Sequence, residues 1–108
     1  MTRFSTFCYA FAVFGGVSAA AAIAADQSVH QKGRVFSLEA LKVKAGDAVV
    51  FVNDDTVPHN VMSTSVGNEF NLGSVAPGTA MPVKFDKAGT VQVICAIHPR
   101  MKMTVTVD

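Results

Sequence analysis

No block of positive charge occurs anywhere in the 108 residues, and a nucleic-acid-binding surface of the usual basic kind is therefore not expected. There is no internal repeat and no low-complexity linker. Beyond residue 25, no window sustains the i, i+3, i+4 apolar spacing of an amphipathic helix, which removes helical-bundle folds. Cysteine is scarce. Of the two present, Cys8 lies in an apolar N-terminal run, so Cys95 is the only thiol of the remainder and an intramolecular disulfide is excluded there.

That N-terminal run has the build of a secretory signal peptide. Met1-Thr2-Arg3 is a short basic lead, Phe7 to Val17 an apolar stretch, and Ala19 to Ala25 a small-residue run with A-x-A sites. Cleavage after Ala24 or Ala25 is expected, giving residues 1–25 as leader and 26–108 as one exported domain of 83 residues. An uncleaved anchor is the alternative, because Phe4 to Ala25 just reaches bilayer length, but its Ala, Gly and Ser content disfavours it. The chain holds nine Lys and Arg and eight Asp and Glu. Loss of Arg3 leaves the domain formally neutral, without a membrane span. A monomer in the periplasm is expected.

The domain reads as short β-runs between turns. After a polar lead from Asp26 to Lys32, Leu41 and Val43 alternate with lysines, and Ala48 to Asn53 is a continuous apolar strand expected to be covered on both sides. Asn60 to Ser63 is a further short strand. Thr64 to Pro82, rich in Gly and Pro, reads as loop with one weak edge strand. Val83 to Phe85, Thr90 to Ile94 and Met103 to Val107 alternate with period two. The expected fold is all-β, a small antiparallel Greek-key sandwich or barrel.

Against that background one cluster stands out. Cys95, His98 and Met101 fall within Cys-Ala-Ile-His-Pro-Arg-Met, and His59 lies upstream in Val-Pro-His-Asn-Val. A thiolate, two imidazoles and a thioether form a soft ligand set suited to copper, and His₂Cys with a weak axial Met is the blue-copper electron-transfer arrangement. Strand alternation puts Val91, Val93 and Cys95 on one face, with Cys95 at the rim of the core. His98 and Met101 then follow at three-residue steps in a loop stiffened by Pro99. Met103 is the other axial candidate, although it fits the alternation of the final strand. Zinc is the competing metal, but its structural sites use Cys and His without thioether.

These residues resemble the small blue-copper proteins, the cupredoxins, of the amicyanin and plastocyanin–pseudoazurin type. The segment Asn53-Asp54-Asp55-Thr56-Val57-Pro58-His59-Asn60-Val61, the run Phe85-Asp86-Lys87-Ala88-Gly89-Thr90, and the short Cys-x-x-His-Pro-x-Met loop carry the resemblance, over about residues 40 to 108. It implies one type 1 copper ion held by His59, Cys95, His98 and Met101. It also implies an Asn60 backbone N–H donated to the Cys95 sulfur, and an Asn60 side chain bracing the loop. Ala96-Ile97 departs from the Thr-Pro common in such loops, and the domain has no tyrosine for a tyrosine-corner bond.

The expected role is a soluble one-electron carrier, not an enzyme, meeting redox protein partners near His98. Pro58, Pro77, Ile97 and Pro99 are candidates for an apolar docking patch. Arg100 and Lys102 flank the loop, either as docking charges for an acidic partner or as solvated surface charges. A copper-binding module for storage, delivery or sensing would use the same ligands. A thiol enzyme built on Cys95 and a histidine would need substrate-positioning groups, and the sequence shows none.

Overall fold

Residues 27–108 are described by a computed structural model. The expected leader, 1–25, lies outside the described residues. Nine strands run in chain order: β1 Gln27–Lys32, β2 Val35–Phe36, β3 Ala40–Val43, β4 Asp47–Asn53, β5 His59–Ser63, β6 Phe70–Val75, β7 Ala80–Phe85, β8 Gly89–Ile94 and β9 Lys102–Val107. They form a four-stranded sheet, β2-β1-β4-β7, and a five-stranded sheet, β3-β9-β8-β5-β6. No helix of the described residues is long and apolar enough to cross a membrane.

The two sheets are mixed, where alternation alone led to an expectation of antiparallel pairing. β1 runs parallel to β4 and β3 parallel to β9, while β4–β7, β5–β6, β5–β8 and β8–β9 are antiparallel. A period of two specifies a face and not a direction, so the two cases look alike in sequence.

The core lies between the inward faces. Val29, Val49, Phe51, Val61, Phe85, Val91, Val93 and Val105 are buried, with an edge-to-face contact between Phe70 and Phe85 at a centroid separation of 5.9 Å. β4 is more one-sided than its apolar run suggests. Val49, Phe51 and Asn53 are buried, whereas Ala48, Val50 and Val52 are only half-buried.

Three further departures have physical causes. The polar lead is strand β1, because every second side chain, Val29 then Gln31, turns inward while the backbone pairs with β4. The Gly- and Pro-rich stretch holds the expected edge strand, as β6, and in addition the start of β7. In β6 one extra residue is accommodated between the Asn60–Ser74 and Met62–Asn71 pairs, and Gly73 takes φ 70° there. Pro82 fits within β7 because that strand is a sheet edge.

This topology sets the end of β5's approach, the start of β9 and the end of β8 side by side. Phe51, fully buried at the centre of β4 and against Phe36, should be the most costly of these positions to truncate. Phe51→Ala should destabilise the metal-free domain by about 3–5 kcal/mol, measured as a shift in urea unfolding with unchanged slope.

Candidate metal centre

Three donors reach one point from two segments. His59 opens β5, while Cys95 and His98 lie on the loop joining β8 to β9. One ligand atom from each falls within 4.8 Å of the others. His59 Nδ1 stands 4.0 Å from Cys95 Sγ, and the His59 and His98 rings are 5.3 Å apart between centroids. Bonds of about 2.0–2.3 Å to one ion put its ligand atoms about 3.5–4 Å from each other. The spacing therefore fits a single ion and is long for a hydrogen bond.

The loop is a tight backbone turn. His98 N–H donates to the Cys95 carbonyl at 3.2 Å, Met101 N–H to the His98 carbonyl at 2.8 Å, and Cys95 N–H to the Met101 carbonyl at 3.1 Å. These bonds repeat at three-residue intervals and close the path from Cys95 to Met101. Met101 is buried at its end. Met103 is buried too, but it pairs with Val93 within the β8–β9 ladder, as its alternation requires.

Two observations test whether a metal suits the pocket. Cys95 and His59 are fully buried. The Nδ1 of His98 is also buried and has no hydrogen-bond partner. An unpaired buried ring nitrogen is costly, and here it belongs to the same trio of donors. A soft-donor set with an unsatisfied imidazole nitrogen is the chemistry of a copper site.

Asn60 fastens the two segments together. Its N–H donates to Cys95 Sγ at 3.3 Å and its side-chain Oδ1 accepts the Ala96 N–H at 3.0 Å. Its Nδ2 donates to the Gly73 carbonyl at 2.8 Å and to Asn71 Oδ1 at 2.9 Å. Both contacts expected of Asn60 are therefore present.

The comparisons with known proteins agree with this geometry. Residues 23–108 match the copper binding proteins of the plastocyanin/azurin family. The chain belongs to that family. It is 34% identical to amicyanin-alpha of Methylorubrum extorquens over 76 residues, covering 68% of this chain and 64% of that protein. The chain thus spans just under two thirds of that relative's length. It is 34% identical to the methylamine utilization protein MauL of the same organism over 104 residues, 95% of this chain and 90% of MauL. Among solved structures, an oxidized variant of amicyanin superposes with a TM-score of 0.71 at 26% identity, covering 76% of this chain and 81% of the other. A purple cupredoxin from Nitrosopumilus maritimus gives 0.68 at 26% identity, over 76% and 99%. The fold is a cupredoxin fold, and copper is the metal of the family.

Two residues of this site carried no signal of their own in the sequence. Asp55 Oδ2 binds His59 Nε2 at 2.9 Å and accepts the Gly33 N–H at 3.0 Å. A carboxylate on the outer ring nitrogen fixes a ligand histidine's tautomer and ring orientation. Asn53 is fully buried, donates to the carbonyls of Val57 and Val75 at 2.9 Å each, and accepts the Asp55 N–H at 2.8 Å. It holds the loop that delivers Asp55 and His59. Spacing to Pro-His was the one clue, since Asn and Asp before a turn have a bland explanation as turn formers.

The hydrogen bond from His59 holds the Asp55 carboxyl down from 3.8 to about 2, aided by the N–H groups of Thr56 and Gly33 and opposed by burial. A depressed folded-state value means stability that is fully present above pH about 4 and lost as the pH falls toward about 2. In the metal-free protein, urea midpoints taken between pH 5 and 2 should show that loss for wild type. Asp55→Asn should be less stable at pH 5 and flatter across the same range; an identical acid limb would remove Asp55 from the account.

Proposed function

We propose that this protein is a soluble periplasmic one-electron carrier, with one type 1 copper held by His59, Cys95, His98 and Met101. Copper bound there supplies a Cu(I)/Cu(II) couple; the chain supplies a fixed cage and a route for the electron. The observation that carries the reading is the buried, unpartnered Nδ1 of His98 beside Cys95 and His59. Family membership and the likeness to amicyanin support it.

Rigidity is what electron exchange asks of such a cage, because little reorganisation between oxidation states keeps the barrier low. Asn60, Asn53 and Asp55 provide it by tying each ligand segment to a neighbouring strand or loop. Met101, buried at the end of a loop closed by its own backbone bonds, would be the fourth, weak donor. The fit of Met103 into the β9 ladder supports that choice.

His98 is the electron port. Its Nδ1 faces inward, yet the residue is half-exposed and lines a surface groove with Ile97 and Pro99. Ile97 is 51% exposed and Val57 44%, and Pro58, Pro77 and Pro99 are exposed. Such a small apolar rim suits the brief encounters of redox proteins. The apolar leader-like run at residues 7–17 supports export to the periplasm.

Adding Cu(II) to the purified domain should give an intense visible charge-transfer band and a copper EPR signal. Cys95→Ser should abolish the colour, and His98→Ala should lose the blue species. Met101→Gln should retain copper and lower the reduction potential, while Met103→Gln should leave the potential unchanged. A potential that moves only in the Met103 variant would reassign the axial ligand; a wild-type domain that stays folded and colourless would refute the function.

A further inference from the structure

The turn joining β1 to β2 has an unusual backbone. Lys32 and Val35 pair across it, so Gly33 and Arg34 are the two central residues, at φ 65° and 64°. Both positive values describe the type I′ turn that suits a tight hairpin, where Asn, Asp and Gly are the usual occupants. Arg34 is the one non-glycine residue with positive φ among the described residues. Side chains pay a steric cost in that conformation, and such outliers point to function when the surroundings hold them in place.

The surroundings do hold it. Gly33 N–H is bound to the same Asp55 oxygen that binds His59, and Asp54 N–H donates to the Gln31 carbonyl at 3.0 Å. The hairpin tip is thereby fixed to the loop that carries the first histidine. As a result Arg34 and Val35 face Ile97, His98, Pro99 and Arg100 across a groove of about 570 Å³. Residues about sixty positions apart thus bring Arg34 and Arg100 to the lining of one groove, together with the half-exposed His98.

Among the described residues, Arg34 and Arg100 have no carboxylate within ion-pair distance, whereas Asp54 and Asp55 are engaged by His30 and His59. Glu39 lines the adjoining groove with Arg100 and Lys102 but bridges neither. Val35, 58% exposed, and Ile97, 51% exposed, add apolar surface to the same groove.

We infer that this Arg34–Arg100 groove docks a redox protein whose own electron port is apolar and bordered by carboxylates, one for each guanidinium. The inference rests on the electron-carrier reading and adds the charge class of the partner to it. Arginine forks suit carboxylates because they bind with two parallel hydrogen bonds. A neutral domain with a local cationic pair beside its port orients an acidic partner rather than attracting it from afar.

The test is an NMR titration of the ¹⁵N-labelled Cu(I) protein with cytochrome b5, an acidic haem protein, at low ionic strength. Amide shifts should cluster at Arg34, Val35, Ile97, His98 and Arg100. Arg34→Asn, which suits the left-handed backbone, and Arg100→Gln should each weaken binding about two- to fivefold, while Lys84→Ala, at the far end of β7, should not. Salt at about 0.5 M should erase the difference. Shifts elsewhere, unchanged affinity in the double variant, or equal shifts with the basic haem protein cytochrome c would overturn the inference. Oxidising the same sample separates the two readings: a colourless product defeats the copper carrier by a readout that the titration does not share.

Discussion

Everything at the metal end depends on Asn60 linking β5 to the ligand loop. Cys95 and His98 lie on one segment and His59 on another, and nothing in local chain geometry would keep them together. The bond from Ala96 N–H to Asn60 Oδ1 and that from Asn60 N–H to Cys95 Sγ join them directly. Both Asn60 Nδ2 donations then run on to β6, so the loop is anchored through β5 to a third strand. Asn60 and Cys95 are buried while Asn71, Gly73 and Ala96 are exposed, so an unmade bond would cost about 1–3 kcal/mol only at the buried groups. The Asn60 side chain, with its oxygen and its amide nitrogen both engaged, favours a single arrangement.

A second anchor works from the other sheet. Asn53 ends β4 and holds the 53–58 loop, Asp55 orients His59 through its outer nitrogen, and the β1–β2 turn is fastened to the same carboxylate. One oxygen atom thus ties the buried ligand to an exposed hairpin. The metal end and the surface beside it are parts of one hydrogen-bonded construction, and surface geometry is inherited from the cage beneath.

The ligand residues were legible because soft donors rarely coincide. A lone cysteine in the domain, with His and Met at +3 and +6, has few other uses. Strand β4 was legible as a continuous apolar run, and β8 and β9 from alternation of apolar residues with Thr, Gln or Lys. β1 was not, because Gln31 is a buried polar residue in an inward position and only Val29 marks the apolar face. The one weak edge strand expected between Thr64 and Pro82 is β6, but its bounds were hidden by Gly73, which reads as a loop residue and here absorbs the extra residue of a bulge. Pairing direction left no trace in the periodicity. Asp55 and Arg34 acquire their roles from contacts made across the fold, by a carboxylate and a hairpin that sequence spacing does not relate.

The account holds that the protein builds the copper cage before copper arrives. High-resolution crystal structures of the metal-free, Cu(I) and Cu(II) forms test this directly. His59 Nδ1, Cys95 Sγ and His98 Nδ1 should superpose to within about 0.5 Å across all three, with the Asn60–Ala96 bond intact in each. A metal-free form in which the 95–101 loop has left Asn60, or in which Cys95 points away from the histidines, would contradict it.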